Sequence, residues 1–476
     1  MFREKDKFLV DMCRGPLFRN VILFAIPLLL TNLLQLLFHA ADLVVIGHYA
    51  SHEAMAAIGC TASMNNLFIN IFIGISVGAN VLASKYFGAN DPEKIRKTVH
   101  TALTFSFFGG ILLMFFALAV AKPILRFMGT PEEILPMSCT YIWICFLVIP
   151  FTMLYNFGCS ILRAVGDTRR PFIYLVSAGI INVLLNLFFV IVCGMDVEGV
   201  AIATAVSHVV AAFLIIRALL KSRESFRFQF RYMGIDRQIL KEMMGIGIPA
   251  GVQSSCFSFS NMVIQSSINS FGTLAMAGMT ASLGLECLVY VGANAFHYTA
   301  ISFVAQNLGA RHFKRILHSI YCCYFCGATV CCLFGWFFYL LGEFFLSVYN
   351  PDPAVIEWGL LRMKILFTTY LLVGFMDVAS GGLRGLGYSL LSTVISLSGA
   401  CFFRIFWVMV IFPHYKSMEC LLISYPVSWG LVAIFGSIAL SIVYRKTVRT
   451  ECPRLVEWSK LGPAVPKGFR FMGFSK

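Results

Sequence analysis

Charge is what this sequence has least of. Only 13% of its 476 residues are Asp, Glu, Lys or Arg, 59% are hydrophobic, and the mean hydropathy is +0.81. A chain so poor in charge would be hard to keep in solution, which excludes an ordinary soluble globular protein. HExxH and an intramembrane pair of aspartates are both missing, so neither of those hydrolytic constellations is on offer. There is no nucleotide-binding P-loop either, which removes the basis for a nucleotide-driven pump. The first apolar stretch has no small-residue cleavage site and runs too long for a signal peptide, so it is expected to stay in the mature protein. The 16 cysteines are not a disulfide framework or a metal site on this reading. Their densest group, Cys322, Cys323, Cys326, Cys331 and Cys332, lies within one apolar run, where cysteine serves as a small core residue.

What is there instead is a series of apolar windows of at least ~18–20 residues, each long enough to cross a ~30 Å hydrocarbon core. Twelve spans are read, at 18–47, 54–84, 98–121, 136–162, 171–194, 197–220, 240–269, 275–306, 313–345, 357–383, 388–413 and 418–444. Most of the 37 basic residues fall on alternate connections (Lys85 to Lys97, Arg163 to Arg170, Arg217 to Lys241, Arg311 to Arg315, Arg384) and on both termini. By the positive-inside rule these segments and both termini are cytoplasmic, which predicts a multi-pass protein of the cytoplasmic membrane. The formal charge of +14 is then a topology signal rather than a nucleic-acid-binding surface.

The longest internal connection, KSRESFRFQFRYMGIDRQILK, reads as a linker that could lie on the anionic leaflet or simply be solvated. An offset of 221 residues lays Ala54-Met55-Ala56 on Ala275-Met276-Ala277, Gly88-Ala89 on Gly309-Ala310, and Leu162-Arg163 with Gly166 on Leu383-Arg384 with Gly387. Ile26-Pro27 over Ile248-Pro249 fits one residue off. One offset joining several separated motifs implies duplication. The expected organisation is an N-terminal six-helix lobe (1–220), a cytoplasmic linker (221–241), a C-terminal six-helix lobe (242–446) and a cytoplasmic tail (447–476). Six being even, the repeats are parallel, related by a pseudo-two-fold axis along the membrane normal.

Three acids, Asp42, Glu286 and Asp377, fall inside spans. A carboxylate there costs roughly 2.5–3.5 kcal/mol on insertion scales and marks an ion or proton site, or else a neutral hydrogen-bonding acid between helices. Asp42 lies near the outer end of its span, while Asn182 and Asn186 share a helix face roughly 16 and 22 Å into theirs. Thr204 lies at a similar depth in the next helix. These groups could form an oxygen-rich cation site or a hydrogen-bonded cluster that tunes Asp42 for proton exchange. His39, three residues before Asp42, fits a proton relay or a capped structural imidazole. By depth, Glu286 and Asp377 could share one cavity and favour cationic substrates. In the rival account Arg404 neutralises one of them as a buried pair, or snorkels to the interface. Pro27 and Pro249, with Gly74, Gly78, Gly278, Gly284 and Gly292, suit moving helices and ordinary membrane packing equally.

With AIPLLLTNLLQLLFHAADLVVIGHYA, GANVLASKYFGANDPEKIRK, LRAVGDTRRP, INVLLNLFFVIVCGMDVEGVAIATA, GIGIPAGVQ, FVAQNLGARHFKRI and LRGLGYS together, the chain resembles the multidrug and toxic compound extrusion (MATE) family from about Gly15 to Arg445. The resemblance implies an all-α membrane protein of twelve helices in two pseudo-two-fold-related bundles forming a V. It also implies alternating access and export of amphipathic, often cationic, drug-like compounds by antiport against an inward H+ or Na+ gradient. Asp42 matches the family's first-helix acid, Asn156 a fourth-helix asparagine, Asn182 a fifth-helix asparagine and Thr204 a sixth-helix threonine; a sodium ion, if used, would sit at Asp42, Asn182 and Thr204. Asn186 stands where DinF-like relatives often carry an aspartate, leaving the first-lobe site one carboxylate. The seventh-helix glutamate of the NorM-like branch is missing, so the prokaryotic DinF-like and MepA-like side fits better. No cofactor is expected beyond the coupling cation, and the expected partners are small organic molecules and the lipid bilayer, with the chain acting as a monomer. A lipid-linked oligosaccharide flippase of the wider superfamily is the alternative, and a membrane-embedded enzyme the second.

Overall fold

A computed structural model describes residues 8–451 apart from 50 and 223. Every regular element among these residues is helical. That is the outcome dictated where lipid offers backbone N–H and C=O groups no partner and each segment must satisfy its own. The first half comprises α1 (Leu17–Tyr49), α2 (His52–Gly88), α3 (Pro92–Phe127), α4 (Leu135–Leu147), α5 (Ile149–Ala164), α6 (Arg169–Leu187) and α7 (Val197–Lys221). The second comprises α8 (Arg237–Asn269), α9 (Thr273–Gly309), α10 (Phe313–Leu340), α11 (Gly342–Tyr349), α12 (Pro353–Leu366) and α13 (Leu371–Gly385). Then follow α14 (Ser389–Ser396), α15 (Phe403–Phe406) and α16 (Phe412–Tyr415), joined by π-helical turns, and α17 (Met418–Glu451).

Among the described residues nine helical stretches are long and apolar enough to cross a bilayer, or eleven when two bent pairs each count as one span. The bends are 46° between α4 and α5, where Pro150 opens the second piece, and 50° before α13. The remaining expected span, 240–269, is α8, which at 33 residues is long enough but is diluted by serines. Ser254, Ser255 and Ser258 return their hydroxyls to carbonyls one turn back, at 3.2–3.3 Å, which lets such a helix sit in an apolar layer. Helix ends follow caps that hydropathy does not register. The third span begins at Pro92, well before 98, because Asp91 accepts the Lys94 N–H at 3.0 Å and proline occupies the first turn. The expected tail from 447 lies outside the described residues beyond 451.

The offset of 221 residues reappears in the backbone. Asn90 and Arg311 are both left-handed, with φ of 54° and 57°, and Gly166 and Gly387 have φ of 100° and 90°. Each pair ends a helix with the same bonds: Asp91 N–H to Tyr86 O and His312 N–H to Asn307 O, Asp167 N–H to Leu162 O and Tyr388 N–H to Leu383 O. The segment between the halves is partly packed inward, while Phe230, Tyr232, Met233 and Ile235 stay exposed. Its alternation turns Phe226 and Phe228 inward, 0% and 4% exposed, with the Phe226 ring 6.4 Å from Phe87 and Phe228 5.2 Å from His100. His100 Nε2 faces the Gln229 backbone, and the Thr101 hydroxyl accepts the Asp236 N–H.

The halves meet at the end that carries the basic connections. There α2 packs on α8 and α9. A Cβ on Gly88 would strike the Gln306 carbonyl, and one on Gly309 the Lys85 carbonyl, so the same close approach is made twice by repeat-related residues. Ser302 donates to Asn80 at 3.1 Å, Gln306 Nε2 to the Ala164 carbonyl at 3.2 Å, and Tyr86 to Glu242 at 2.9 Å. The segment before α1 straps this junction. Val10 N–H bonds Gly166 O in the first half, while Met12 O accepts from Asn307 and Arg315 of the second. Towards the other end the two halves border a cavity.

Candidate functional site

The cavity has a volume of about 700 Å3 and takes its walls from both halves. Asp42, His39, Asn156, Asn182 and Thr204 line it from the first half, and Glu286, Asp377 and Arg404 from the second. Every site residue expected from sequence therefore faces this one space except Asn186, which lies fully buried behind Asp42.

On the first-half wall a hydrogen-bonded chain joins three helices. Asn186 Nδ2 on α6 donates to Asp42 Oδ1 on α1 at 2.5 Å and lies 3.4 Å from Asn182 Oδ1 one turn earlier. Asn182 Nδ2 in turn donates to Thr204 Oγ1 on α7 at 3.4 Å. The α6 spacing of four puts both amides on one face, and α6 runs into a π-helical turn at Phe188–Val192 just beyond them. The amides present N–H groups to the carboxylate and the hydroxyl, the arrangement of a hydrogen-bonded cluster. A cation held by Asp42, Asn182 and Thr204 would need the amide oxygens turned towards it. Asn186 Oδ1 is buried without a partner among the described residues. Asn156 bonds Thr152 O in its own helix at 2.9 Å and contributes polarity to the wall separately from the chain. His39 stands one turn before Asp42 on the cavity face.

The second-half wall differs from expectation in its pairing. Arg404 does not neutralise an acid. Glu286 Oε2 is held by Arg362 Nη2 of α12 at 2.5 Å, the two side chains being 14% and 5% exposed. Arg362 Nη1 also donates to Met279 O at 3.3 Å, and the Tyr370 hydroxyl reaches Glu286 Oε1 at 3.5 Å. Arg404 instead donates Nε–H to Ser428 Oγ at 2.8 Å, its guanidinium carbon 4.2 Å from the Tyr425 ring centre and 5.9 Å from that of Trp429. With 6% of the residue exposed, it does not snorkel.

Asp377 is 9% exposed, and its Oδ2 has no hydrogen-bond partner among the described residues. Its backbone carbonyl accepts from His297 Nδ1 at 2.8 Å, which leaves Nε2 bare to accept from Arg384 Nη1 at 3.3 Å. Arg384 Nη2 donates to Gln253 at 2.9 Å. Sequence reasoning missed Arg362, Arg384, His297 and the Tyr425–Trp429 pair. Arg362 and Arg384 were visible as arginines inside or ending apolar runs, a signal that points to a buried partner without naming it.

The family model MatE matches residues 27–188 and again 249–410, the second match displaced by 222 residues from the first. The "Probable multidrug resistance protein YoeA" of Bacillus subtilis (strain 168) is 29% identical over 441 residues, 88% of this chain and 92% of its own. The "Multidrug export protein MepA" of Staphylococcus aureus (strain bovine RF122 / ET3-1) is 24% identical over 468 residues, 95% and 100% of the two chains. Among solved structures, one described as the outward-facing conformation of a multidrug resistance MATE family transporter superposes with a TM-score of 0.86 at 20% identity, covering 93% of this chain and 100% of its own.

Proposed function

The chain belongs to the MatE family, and we propose that it is a secondary active multidrug exporter, moving amphipathic organic compounds, many of them cationic, against an inward cation gradient. It resides in the cytoplasmic membrane with both termini inside and acts as a monomer, as a transporter rather than an enzyme. With that orientation the junction of the halves is the cytoplasmic end, and the cavity faces outwards. A space of about 700 Å3 suits a drug-sized molecule.

The observation that carries the mechanism is the Asp42–Asn186 bond on the cavity wall. A carboxylate accepting N–H is a charge-assisted hydrogen bond, roughly twice as strong as a neutral one. Protonating Asp42 removes that acceptor charge and loosens α1 from α6 beside the cargo. A proton entering from outside thus alters the wall on which the cargo rests, and re-ionisation on the cytoplasmic side restores it. The proton is the favoured coupling ion because Asn186 already answers Asp42 as a donor; sodium would need Asn182 and its neighbour to rotate. A lipid-linked oligosaccharide flippase would call for a strongly cationic cavity, whereas Asp42, Glu286 and Asp377 line this one beside a single arginine, Arg404.

Efflux of a fluorescent cation from inverted vesicles, under H+ and Na+ gradients imposed separately, tests the reading. The H+ gradient alone should drive it. Drive by Na+ alone would transfer the site to a metal cation, and drive by neither would refute secondary export.

A further inference from the structure

We propose that Arg404 is the docking point for an anionic group on the cargo, so that the exporter takes aromatic amphiphiles bearing a carboxylate, zwitterions included, alongside simple cations. This deepens the export reading and rests on the cavity being the cargo site. Arg404 lines the cavity while more than nine-tenths buried. Ser428 occupies only its Nε–H, and among the described residues neither Nη group has a hydrogen-bond partner or an ion pair. Tyr425 and Trp429 cover the guanidinium at 4.2 and 5.9 Å from their ring centres, which fixes its plane and leaves its Nη edge as the free, fork-shaped donor.

The acids of the same wall do not answer it. Glu286 is already held by Arg362, and Asp377 forms no ion pair with Arg404. A buried cation without a counter-ion is costly, and a planar carboxylate is the group that would satisfy both Nη donors at once.

The backbone points the same way. Arg404 sits on the single α-helical turn Phe403–Phe406 between π-helical segments Leu397–Phe402 and Trp407–Ile411, an irregularity that re-aims side chains and recurs at functional sites. Across the cavity the first-half wall carries the Asp42 carboxylate with the amides of Asn182 and Asn186 beside it. A zwitterion could place its cationic end towards the Asp42 wall and its anionic end on Arg404.

The test uses tetramethylrhodamine, whose aryl carboxylate is free, and its methyl ester, which lacks only that charge, with equilibrium binding to the purified full chain followed by fluorescence anisotropy. The wild type should bind the acid more tightly than the ester, and benzoate should displace the acid selectively. Arg404→Lys should weaken the acid by about tenfold, and Arg404→Met by more, with the ester changed by less than about twofold. Equal losses for both dyes would make Arg404 a structural prop and overturn the proposal. So would benzoate that displaces neither dye from the wild type, a result that needs no variant to fold. If the wild type fails to bind even the cationic ester, the cavity is not the cargo site, and the export reading falls with the inference.

Discussion

Truncating Glu286 to alanine leaves Arg362 buried with only the Met279 carbonyl to answer its charge. The two side chains are 14% and 5% exposed, so solvent offers little screening, and removing one partner of such a pair costs about 3–5 kcal/mol. Glu286→Gln keeps the shape and one acceptor oxygen, so its cost should fall nearer 1.5–3 kcal/mol, the worth of a hydrogen bond to a charged group. Replacing both partners together, as Glu286→Leu with Arg362→Met, removes the stranded charge and should recover most of the loss, giving a coupling energy of about 2 kcal/mol or more. Unfolding of the purified protein in mixed micelles titrated with SDS measures each corner of this cycle. If Glu286→Ala costs less than about 1 kcal/mol and the double variant is simply additive, the pair is not a structural unit and the reasoning fails. Glu286 would then be a free cavity acid, and its removal would weaken binding of cationic drugs more than neutral ones.

Three further outcomes are expected. Asp42→Asn should abolish gradient-driven efflux while leaving expression and folding intact; normal uphill transport by that variant would remove Asp42 from the coupling step. Asp377→Asn, at an acid with an unpartnered oxygen on the cavity wall, should weaken a cationic drug more than a neutral one with little change in stability. Gly309→Leu should drive the side chain into the Lys85 carbonyl and part the halves at their junction. The reporter is Cys13, whose Sγ lies 3.8 Å from the Gln306 carbonyl and whose pKa is pushed from 9.0 to about 11, chiefly by burial and then by the Asp11 charge. Exposure would raise its thiolate fraction at pH 8 by up to ~100-fold, so peptide-resolved alkylation of Cys13 should accelerate steeply. An unchanged rate would mean that the junction tolerates the side chain.

Much of the fold was legible because lipid imposes a length and a composition that any window average detects. The twelve stretches, the alternating basic connections and the repeat offset all come from that constraint. What escaped was local chemistry. The Asp91 cap extends α3 by a turn and a half beyond its apolar window, and the serines of α8 depress its hydropathy although their hydroxyls are spent on its own backbone. The linker aromatics looked suited to a membrane surface or to solvent. Strict alternation is also what a segment needs to bury every second side chain, and Phe226 and Phe228 do so against α3 and the end of α2.

The site was legible by depth and opaque by rotation. A lone acid such as Asp42 declares itself, and counting 1.5 Å per residue brings Asn182, Asn186 and Thr204 level with it. Level is enough to bring neighbouring helices of one bundle together, and the Asp42–Asn186–Asn182–Thr204 chain is the result. Depth says nothing of which way a helix faces. Arg404 lies on the same wall as Glu286 and Asp377, and only the turn of α15 between its π-helical neighbours decides that its guanidinium meets Tyr425 and Trp429 rather than an acid. Arg362 falls five residues into its expected span, and only the rotation of α12 shows that it reaches inwards to Glu286. The consequence is functional. The arginine that sequence offered as the acid's partner is left with neither Nη group hydrogen-bonded among the described residues, so the wall presents unneutralised charge of both signs to the cavity.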